Sequence, residues 1–130
     1  MKRNLLVLGV LTAAACGSSD SHTGSGLGTF SITWELTAVN THVSISCGSV
    51  DAVTLEVTSH PLFGGADKID DFDCSDLAGQ TAPLREGDYD VTVDLLDSND
   101  VPLNDETQDL GTKTIIQDTD LRVGHVIFDF

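Results

Sequence analysis

The residues of this sequence that could most readily do chemistry are its aspartates. Five of them fall within residues 67–76, and residues 97–100 hold a second acidic turn. Carboxylate oxygens in loops are ligands that Ca²⁺ prefers in proteins. The sequence therefore offers a calcium site as a hypothesis and suggests no other cofactor. Its candidate ligands are Asp67, Asp70, Asp71, Asp73 and Asp76.

Neither acidic segment completes a known ligand pattern. In an EF-hand loop beginning at Asp97, Val101 would occupy the fifth ligand position and Pro102 the position that requires glycine. Asp70 and Asp71 are consecutive, so on a strand they would face opposite sides of the sheet. The calcium hypothesis therefore rests on the density of carboxylates alone.

The sequence lacks the patterns of common catalytic sites. It has no G-x-S-x-G nucleophile elbow, no H-E-x-x-H zinc motif and no glycine-rich phosphate loop. Its histidines are spread along the chain and form no motif. We therefore expect a protein that is not an enzyme. The histidines are His22, His42, His60 and His125.

The first 16 residues have the layout of an export signal that ends in a cysteine. Lys2 and Arg3 form a basic start, residues 5–11 are apolar apart from one glycine, and three alanines precede Cys16. The apolar run is far shorter than the roughly 20 residues that a membrane-spanning helix needs. The Ala-Ala-Ala-Cys sequence resembles the lipobox of bacterial lipoproteins, although the commonest lipobox has leucine in place of Ala13.

In that family the cysteine thiol receives a diacylglyceryl group, the signal is cut directly before the cysteine, and the new N-terminus is acylated. The resemblance implies a membrane partner, reached through the lipid on Cys16, and a location in the cell envelope of a Gram-negative bacterium. The family pattern places aspartate after the cysteine for retention at the inner membrane, so Gly17 implies the outer membrane or cell surface. The alternative is ordinary signal cleavage after Ala15, which would leave a free thiol.

The chain after Cys16 changes abruptly in composition. Residues 17–28 are rich in glycine and serine and show no apolar period, which predicts a flexible tether. The expected organisation is a signal at 1–15, the lipidated cysteine and tether at 16–28, and a single domain at 29–130.

The two cysteines that remain, Cys47 and Cys74, have one possible pairing. An oxidising compartment outside the cytoplasm favours a disulfide between them. Two free buried thiols or a metal site are the alternatives, but no histidine lies at ligand spacing from either cysteine. We predict the Cys47–Cys74 disulfide.

The charge of the chain argues against nucleic acid as a partner. The sequence holds 21 Asp and Glu residues against 6 Lys and Arg residues, for a net charge of -15. A surface with this charge repels phosphate backbones.

Apolar and polar residues alternate through the domain, which is the pattern of half-buried strands. The clearest runs are TFSITWELTAV at 29–39 and GDYDVTVDLLD at 87–97. A third run directs Val53, Leu55 and Val57 inward, and His60-Pro61 should end it. About seven such runs with no helical period predict an all-β domain, a single antiparallel β-sandwich of immunoglobulin-like or prealbumin-like form.

One stretch supports this fold more specifically. Leu84-x-x-Gly87-x-Tyr89-x-Val91 resembles the motif that precedes a strand in immunoglobulin-like and transthyretin-like extracellular modules. The resemblance implies that the tyrosine ring packs inward while its hydroxyl binds nearby backbone, as in a tyrosine corner. Such a motif indicates a fold and not a function.

The sequence thus predicts a lipid-anchored envelope protein whose sandwich is a structural or binding module with an unidentified partner. The alternatives are a secreted module that binds Ca²⁺ or a glycan and, with less support, an enzyme. Glycan binding commonly uses an exposed aromatic ring, whereas Trp34 and Tyr89 both lie on predicted core faces.

Overall fold

The computed structural model describes residues 26–105 and 107–130, so the predictions for the signal, Cys16 and His22 lie outside the described residues. This part of the chain contains nine strands and two short 3-10 turns. The strands are β1 (Leu27–Thr37), β2 (Ser44–Ile45), β3 (Thr54–Pro61), β4 (Lys68–Asp73), β5 (Ala78–Gln80), β6 (Leu84–Arg85), β7 (Gly87–Leu96), β8 (Gln108–Ile115) and β9 (Asp120–Asp129).

The strands form two sheets with the core between them. In the first sheet β1 is central, with β9 along one edge and β2, β5 and β6 in turn along the other. The second sheet has the order β4-β3-β7-β8 and is antiparallel throughout. The predicted all-β sandwich is confirmed, with nine strands in the described residues in place of about seven.

The pairing of β1 with β9 is parallel, which the expectation of an antiparallel sandwich did not include. It runs from Thr29 opposite Asp120 to Thr37 opposite Asp129. Parallel neighbours need a long crossover connection, and here the whole second sheet lies between the two strands in sequence. The first and last described strands are therefore adjacent in space.

Alternation along the strands fills the core as predicted. The inward side chains of β1, β3 and β7 are at most 2% exposed. Burying an aliphatic or aromatic side chain contributes about 1.5–3 kcal/mol, so these rows supply much of the stability of the domain. They are Phe30, Ile32, Trp34 and Leu36 in β1, Leu55 and Val57 in β3, and Tyr89, Val91, Val93 and Leu95 in β7.

The prediction for the start of β3 was wrong at Val53. Val53 is 46% exposed, and Ala52 is buried in its place. The cause is the turn before the strand, where Asp51 has a left-handed backbone conformation with φ 58°. Regular alternation therefore begins only at Thr54.

Strand β3 ends at Pro61, as the sequence predicted, although Pro61 itself still pairs with Tyr89 of β7. The Leu62 N–H donates to the Asp88 carbonyl of β7, so the nitrogen of the preceding proline faces the opposite edge. Pairing with β4 extends only to Ser59 opposite Lys68. Proline is tolerated here because its missing donor lies where the strand has no neighbour.

Strand β1 begins before the predicted boundary at residue 29, because Leu27 and Gly28 pair with Arg85 and Leu84 of β6. A Cβ on Gly28 would lie 2.5 Å from the carbonyl oxygen of Ile116. The end of the predicted tether therefore belongs to the sheet, and only glycine fits this close approach.

Cys47 and Cys74 form the predicted disulfide, with their Cα atoms 6.1 Å apart. It joins the 3-10 turn that follows β2 in the first sheet to the one that follows β4 in the second. Cys74 is buried, and its carbonyl accepts a 2.8 Å hydrogen bond from the Trp34 indole. The disulfide therefore links the two sheets at the edge of the core.

The tyrosine motif also has the expected geometry. The Tyr89 ring is buried between Phe30 and Phe63, with edge-to-face contacts at centroid distances of 5.9 and 5.3 Å. Its hydroxyl donates a 2.8 Å hydrogen bond to the carbonyl of Arg85. The hydroxyl thus fixes the short strand β6 to the start of β7.

Replacing Tyr89 by phenylalanine tests this attachment. Tyr89→Phe removes the hydroxyl and leaves the Arg85 carbonyl unpaired, so we expect the free energy of unfolding to fall by about 1 kcal/mol in urea denaturation. Tyr89→Leu, which also removes both ring contacts, should cost more. Equal stability of wild type and Tyr89→Phe would contradict this account of the motif.

Candidate functional site

The outer face of the first sheet carries an open groove with a volume of about 630 Å³. The groove runs over the middle of β1, with β5 on one side and β9 on the other. It brings together a guanidinium, an imidazole, a carboxylate, an amide and two hydroxyls. The polar side chains that line it are Ser31, Thr33, Gln80, Asp120, Arg122 and His125.

Local sequence explains why these side chains share one face. Alternation in β1 buries Ile32 and leaves Ser31 and Thr33 outward. In β9 the register shifts, because Ser31 pairs with Arg122 and Ile32 with Gly124. Val123 is the extra residue of this β-bulge.

The bulge decides which residues of β9 reach the groove. Val123 and Val126 are both buried, although three positions separate them. Gly124 has a φ of 126°, a conformation that side chains rarely adopt, and it leaves the groove floor open between Arg122 and His125. A regular strand would instead have placed Arg122 and Val126 on the same face.

Asp120 is the most heavily hydrogen-bonded side chain of the groove. It accepts hydrogen bonds from the hydroxyls of Thr29 and Ser31 and from the amide of Gln80. The hydrogen bond from Ser31, followed by that from Thr29, holds the pKa of Asp120 below its usual value. Asp120 therefore stays ionised and fixed in place, and it joins β1, β5 and β9 on the outer face.

His125 lies between two side chains of β1. Its Nε2 is 3.1 Å from a carboxylate oxygen of Glu35, and its Nδ1 is 2.8 Å from the hydroxyl of Thr33. A carboxylate can only accept, so Nε2 donates to Glu35 and, in the neutral imidazole, Nδ1 accepts from Thr33. The result is a hydroxyl–imidazole–carboxylate series on an exposed face.

This series resembles in its order the arrangement that activates nucleophilic hydroxyls. Thr33, however, lies in the middle of the sheet, paired with Ala78 on one side and His125 on the other. Backbone N–H groups that pair within a sheet are not directed at a hydroxyl on its face, so they form no oxyanion hole there. The geometry favours a rigid binding surface over a nucleophilic site.

Arg122 is the cation of the groove. Within the described residues its guanidinium forms no hydrogen bond or ion pair, although its charge contributes to the lowered pKa of Asp120. The five N–H donors of a guanidinium match planar acceptors such as carboxylates. Arg122 is therefore the side chain of the groove with the most hydrogen-bonding capacity for a ligand.

The structure does not bring the predicted calcium ligands together. Asp67 contacts His60, Asp70 accepts from the Ala82 amide, and Asp73 accepts from the hydroxyl and amide of Ser75. These two hydrogen bonds from Ser75 lower the pKa of Asp73. Asp71 lies on the outer face of the second sheet, and Asp76 belongs to the following 3-10 turn.

Across residues 26–105 and 107–130, no group of three or more His, Cys, Asp or Glu side chains is arranged to hold a metal ion. The calcium site remains a prediction.

Sequence reasoning missed a row of carboxylates on the outer face of the second sheet. Asp71 of β4, Glu56 of β3 and Asp94 of β7 lie directly opposite one another across neighbouring strands. Burial raises the pKa of Glu56, and the charges of Asp71, Asp94 and Asp100 raise it further. Like charges directly opposite destabilise a sheet, and only the strand register reveals that they meet.

Comparison with known proteins adds little to this picture. No protein-family model and no curated protein matches the chain. A leucine-rich repeat protein from Bacteroides thetaiotaomicron has a similar structure with 12% identity and a TM-score of 0.49. The similarity covers 78% of this chain and 12% of that protein.

None of the helical segments within the described residues has the length and apolar character needed to cross a membrane.

Replacing Asp120 by asparagine tests the hydrogen-bonded carboxylate of the groove. The pKa of Asp120 is lower in the folded protein than its value of 3.8 in the unfolded chain. The ionised carboxylate therefore stabilises the fold at any pH above 3.8, and this contribution is lost as the pH falls through the lower pKa of the folded state. Because solvent screens this exposed carboxylate, we expect Asp120→Asn to lower the free energy of unfolding at pH 7 by only about 0.5–1 kcal/mol, and by progressively less below pH 4.

Glu56→Gln provides the control of opposite sign. Burial and the neighbouring carboxylates raise the pKa of Glu56, so its ionised form opposes folding at pH 7 and its protonated form does not at pH 3. This variant should be more stable than wild type at pH 7 and equal to it at pH 3. An Asp120→Asn effect that is constant from pH 7 to pH 3 would contradict the assignment.

Proposed function

We propose that this protein is a lipid-anchored lipoprotein of the Gram-negative cell envelope whose β-sandwich is a binding module. The observation that carries the proposal is the disulfide, because Cys47 and Cys74 are its two partners. Of the three cysteines in the sequence, only Cys16 is then left as a thiol. An oxidising compartment favours the disulfide, and lipidation gives the unpaired thiol its use.

The entry point of the chain agrees with an anchor of this kind. Strand β1 begins at Leu27, so ten residues, 17–26, lie between Cys16 and the sheet. A glycine- and serine-rich segment of this length has a coil reach of roughly 20 Å. The sandwich would therefore stay close to the membrane that holds the lipid.

The groove over β1, β5 and β9 is the surface that we propose for ligand contact. Apart from Arg122, its polar groups are held by hydrogen bonds such as those to Asp120 and His125, so little ordering of these groups is needed when a ligand binds. The free donors of Arg122 suit a ligand that carries a carboxylate or another planar anion. Such a ligand would be a component of the envelope or of the surroundings of the cell.

The alternative of a glycan-binding module loses support from the aromatic residues. Trp34 and Tyr89, the rings that the sequence singled out, are each at most 2% exposed, so neither offers a platform on which a sugar ring could stack. The half-exposed ring of Phe63 already contacts Tyr89 and lies beside the Arg85 guanidinium. The second alternative is a secreted Ca²⁺-binding module. It would have to use aspartates that lie apart from one another in the structure, as described above.

Cys16→Ala tests the anchor. In a Gram-negative host fed an alkyne-tagged fatty acid, we expect wild type to incorporate the tag and fractionate with membranes, because two or more acyl chains give firm attachment. Cys16→Ala should lose the tag and the membrane fraction, while retaining the Cys47–Cys74 disulfide. Cys47→Ala with Cys74→Ala is the matched control, which should keep the tag. Untagged wild-type protein would contradict the proposal.

A further inference from the structure

The connection between β3 and β4 carries two apolar side chains into solvent. Leu62 is 50% exposed and Phe63 is 49% exposed. Phe63 is nevertheless held in place, since its ring meets Tyr89 edge-on at 5.3 Å and the Arg85 guanidinium lies 6.0 Å from its centroid. We call Leu62, Phe63, Lys68 and Arg85 the apolar–basic tip.

The tip lies where the N-terminal segment enters the domain. Leu27 pairs with Arg85, and the Glu86 N–H donates to the Gly26 carbonyl at 2.9 Å. Leu27, Phe63, Lys68 and Arg85 also line one cavity of about 250 Å³. The chain that connects the domain to Cys16 therefore leaves beside the exposed Phe63.

The basic residues are concentrated at the same end of the domain. Strand register places all four Lys and Arg residues of the described chain in the half nearest Gly26. Acidic residues lie in this half too, so its basic residues distinguish it and not a net positive charge. These acidic residues include Asp67, Glu86, Asp88, Asp90, Asp118 and Asp120. The opposite half holds carboxylates and, among the described residues, no Lys or Arg. The basic residues are Lys68, Arg85, Lys113 and Arg122.

We propose that the apolar–basic tip rests on the bilayer that holds the lipid anchor, with Leu62 and Phe63 in the interfacial region. This inference rests on the proposed lipid anchor. Exposed aromatic and aliphatic side chains next to Lys and Arg are the composition that favours a membrane interface. The half of the described domain that has carboxylates and no Lys or Arg then points away from the surface, which its carboxylates would otherwise repel.

The tether makes such a weak contact effective. Two half-exposed side chains would bind a bilayer poorly from solution. A connection as short as the predicted tether, to a lipid in the same bilayer, would convert the contact into an intramolecular one at a high effective concentration. The contact would hold the groove of β1, β5 and β9 at a fixed angle to the membrane, since both belong to one sandwich.

Paramagnetic broadening on nanodiscs tests the orientation. The processed protein is placed on phosphatidylcholine discs with one quarter phosphatidylglycerol and a trace of gadolinium-chelating lipid, and amide broadening is measured by NMR. The strands rise about 3.3 Å per residue, so the ten-residue β7 separates the two ends of the domain by about 30 Å. We expect the Leu62 and Phe63 amides to broaden at least about tenfold more than those of Val39 and Val43 at the far end.

Serine variants at the two ends give a matched comparison. Leu62→Ser, and separately Leu62→Ser with Phe63→Ser, should reduce the difference between the ends, whereas Val43→Ser, which changes a side chain that is 60% exposed at the far end, should leave it unchanged. Leu62→Ser keeps the Phe63–Tyr89 contact, so it remains informative if the double variant is unstable. Equal broadening of both ends, greater broadening of the far end, or no response to Leu62→Ser would overturn the inference.

Mass spectrometry of the N-terminal peptide separates this test from that of the anchor. If Cys16 carries no lipid, the proposed function fails, and its free thiol is coupled to a maleimide phospholipid in the same discs. The orientation is then measured with an anchor of known chemistry. A tip that stays away from the bilayer under that condition overturns the inference on its own, and a tip held instead by a protein partner would give the same negative result.

Discussion

The parallel pairing of β1 with β9 is the interaction on which the rest of the structure depends. β1 is the central strand of the first sheet, and β2, β5 and β6 are joined to that sheet through their pairing with β1. Its inward side chains, Phe30, Ile32, Trp34 and Leu36, are each at most 2% exposed. Without β9 along its second edge, this strand would have only short partners.

Side chains on the outer face reinforce the same pair of strands. Thr29 and Ser31 donate to Asp120, Thr37 donates to Asp129, and Thr33 is hydrogen-bonded to His125. Each bond joins residues roughly 90 positions apart in sequence, so each acts against the entropy of closing a long loop. The bonds that Ser31 and Thr33 form with Asp120 and His125 lie in the groove, and the start of β1 sets the point at which the predicted tether leaves. The stability of the fold, the candidate binding surface and the proposed attachment to the membrane thus all depend on β1.

The sequence predicted what depends on neighbouring residues and missed what depends on distant ones. Alternation placed the inward faces of β1 and β7 correctly, and the count of cysteines led to the Cys47–Cys74 pair. The orientation of Val53 depends on the turn at Asp51, and the tolerance of Pro61 depends on where β4 ends. Neither can be derived from alternation alone.

The candidate site was beyond prediction for a related reason. His125 was an isolated histidine in the sequence, and only the parallel register brings it beside Thr33 and Glu35. Gly124 marks the bulge, but a glycine in a strand does not say which partner it faces. The row of Glu56, Asp71 and Asp94 likewise follows from register across three strands. The predicted calcium ligands within residues 67–76 do not come together, because their side chains face different directions.

Native-state hydrogen exchange of the β1 amides is the most direct test of the central role of this strand. If β1 is held between β9 and its three short partners, the amides of Ile32 and Trp34 should open only with global unfolding. They should then exchange with the same free energy as those of Val91 and Val93 in the second sheet. Exchange of the β1 amides at a clearly lower free energy, with the second sheet still protected, would contradict the account.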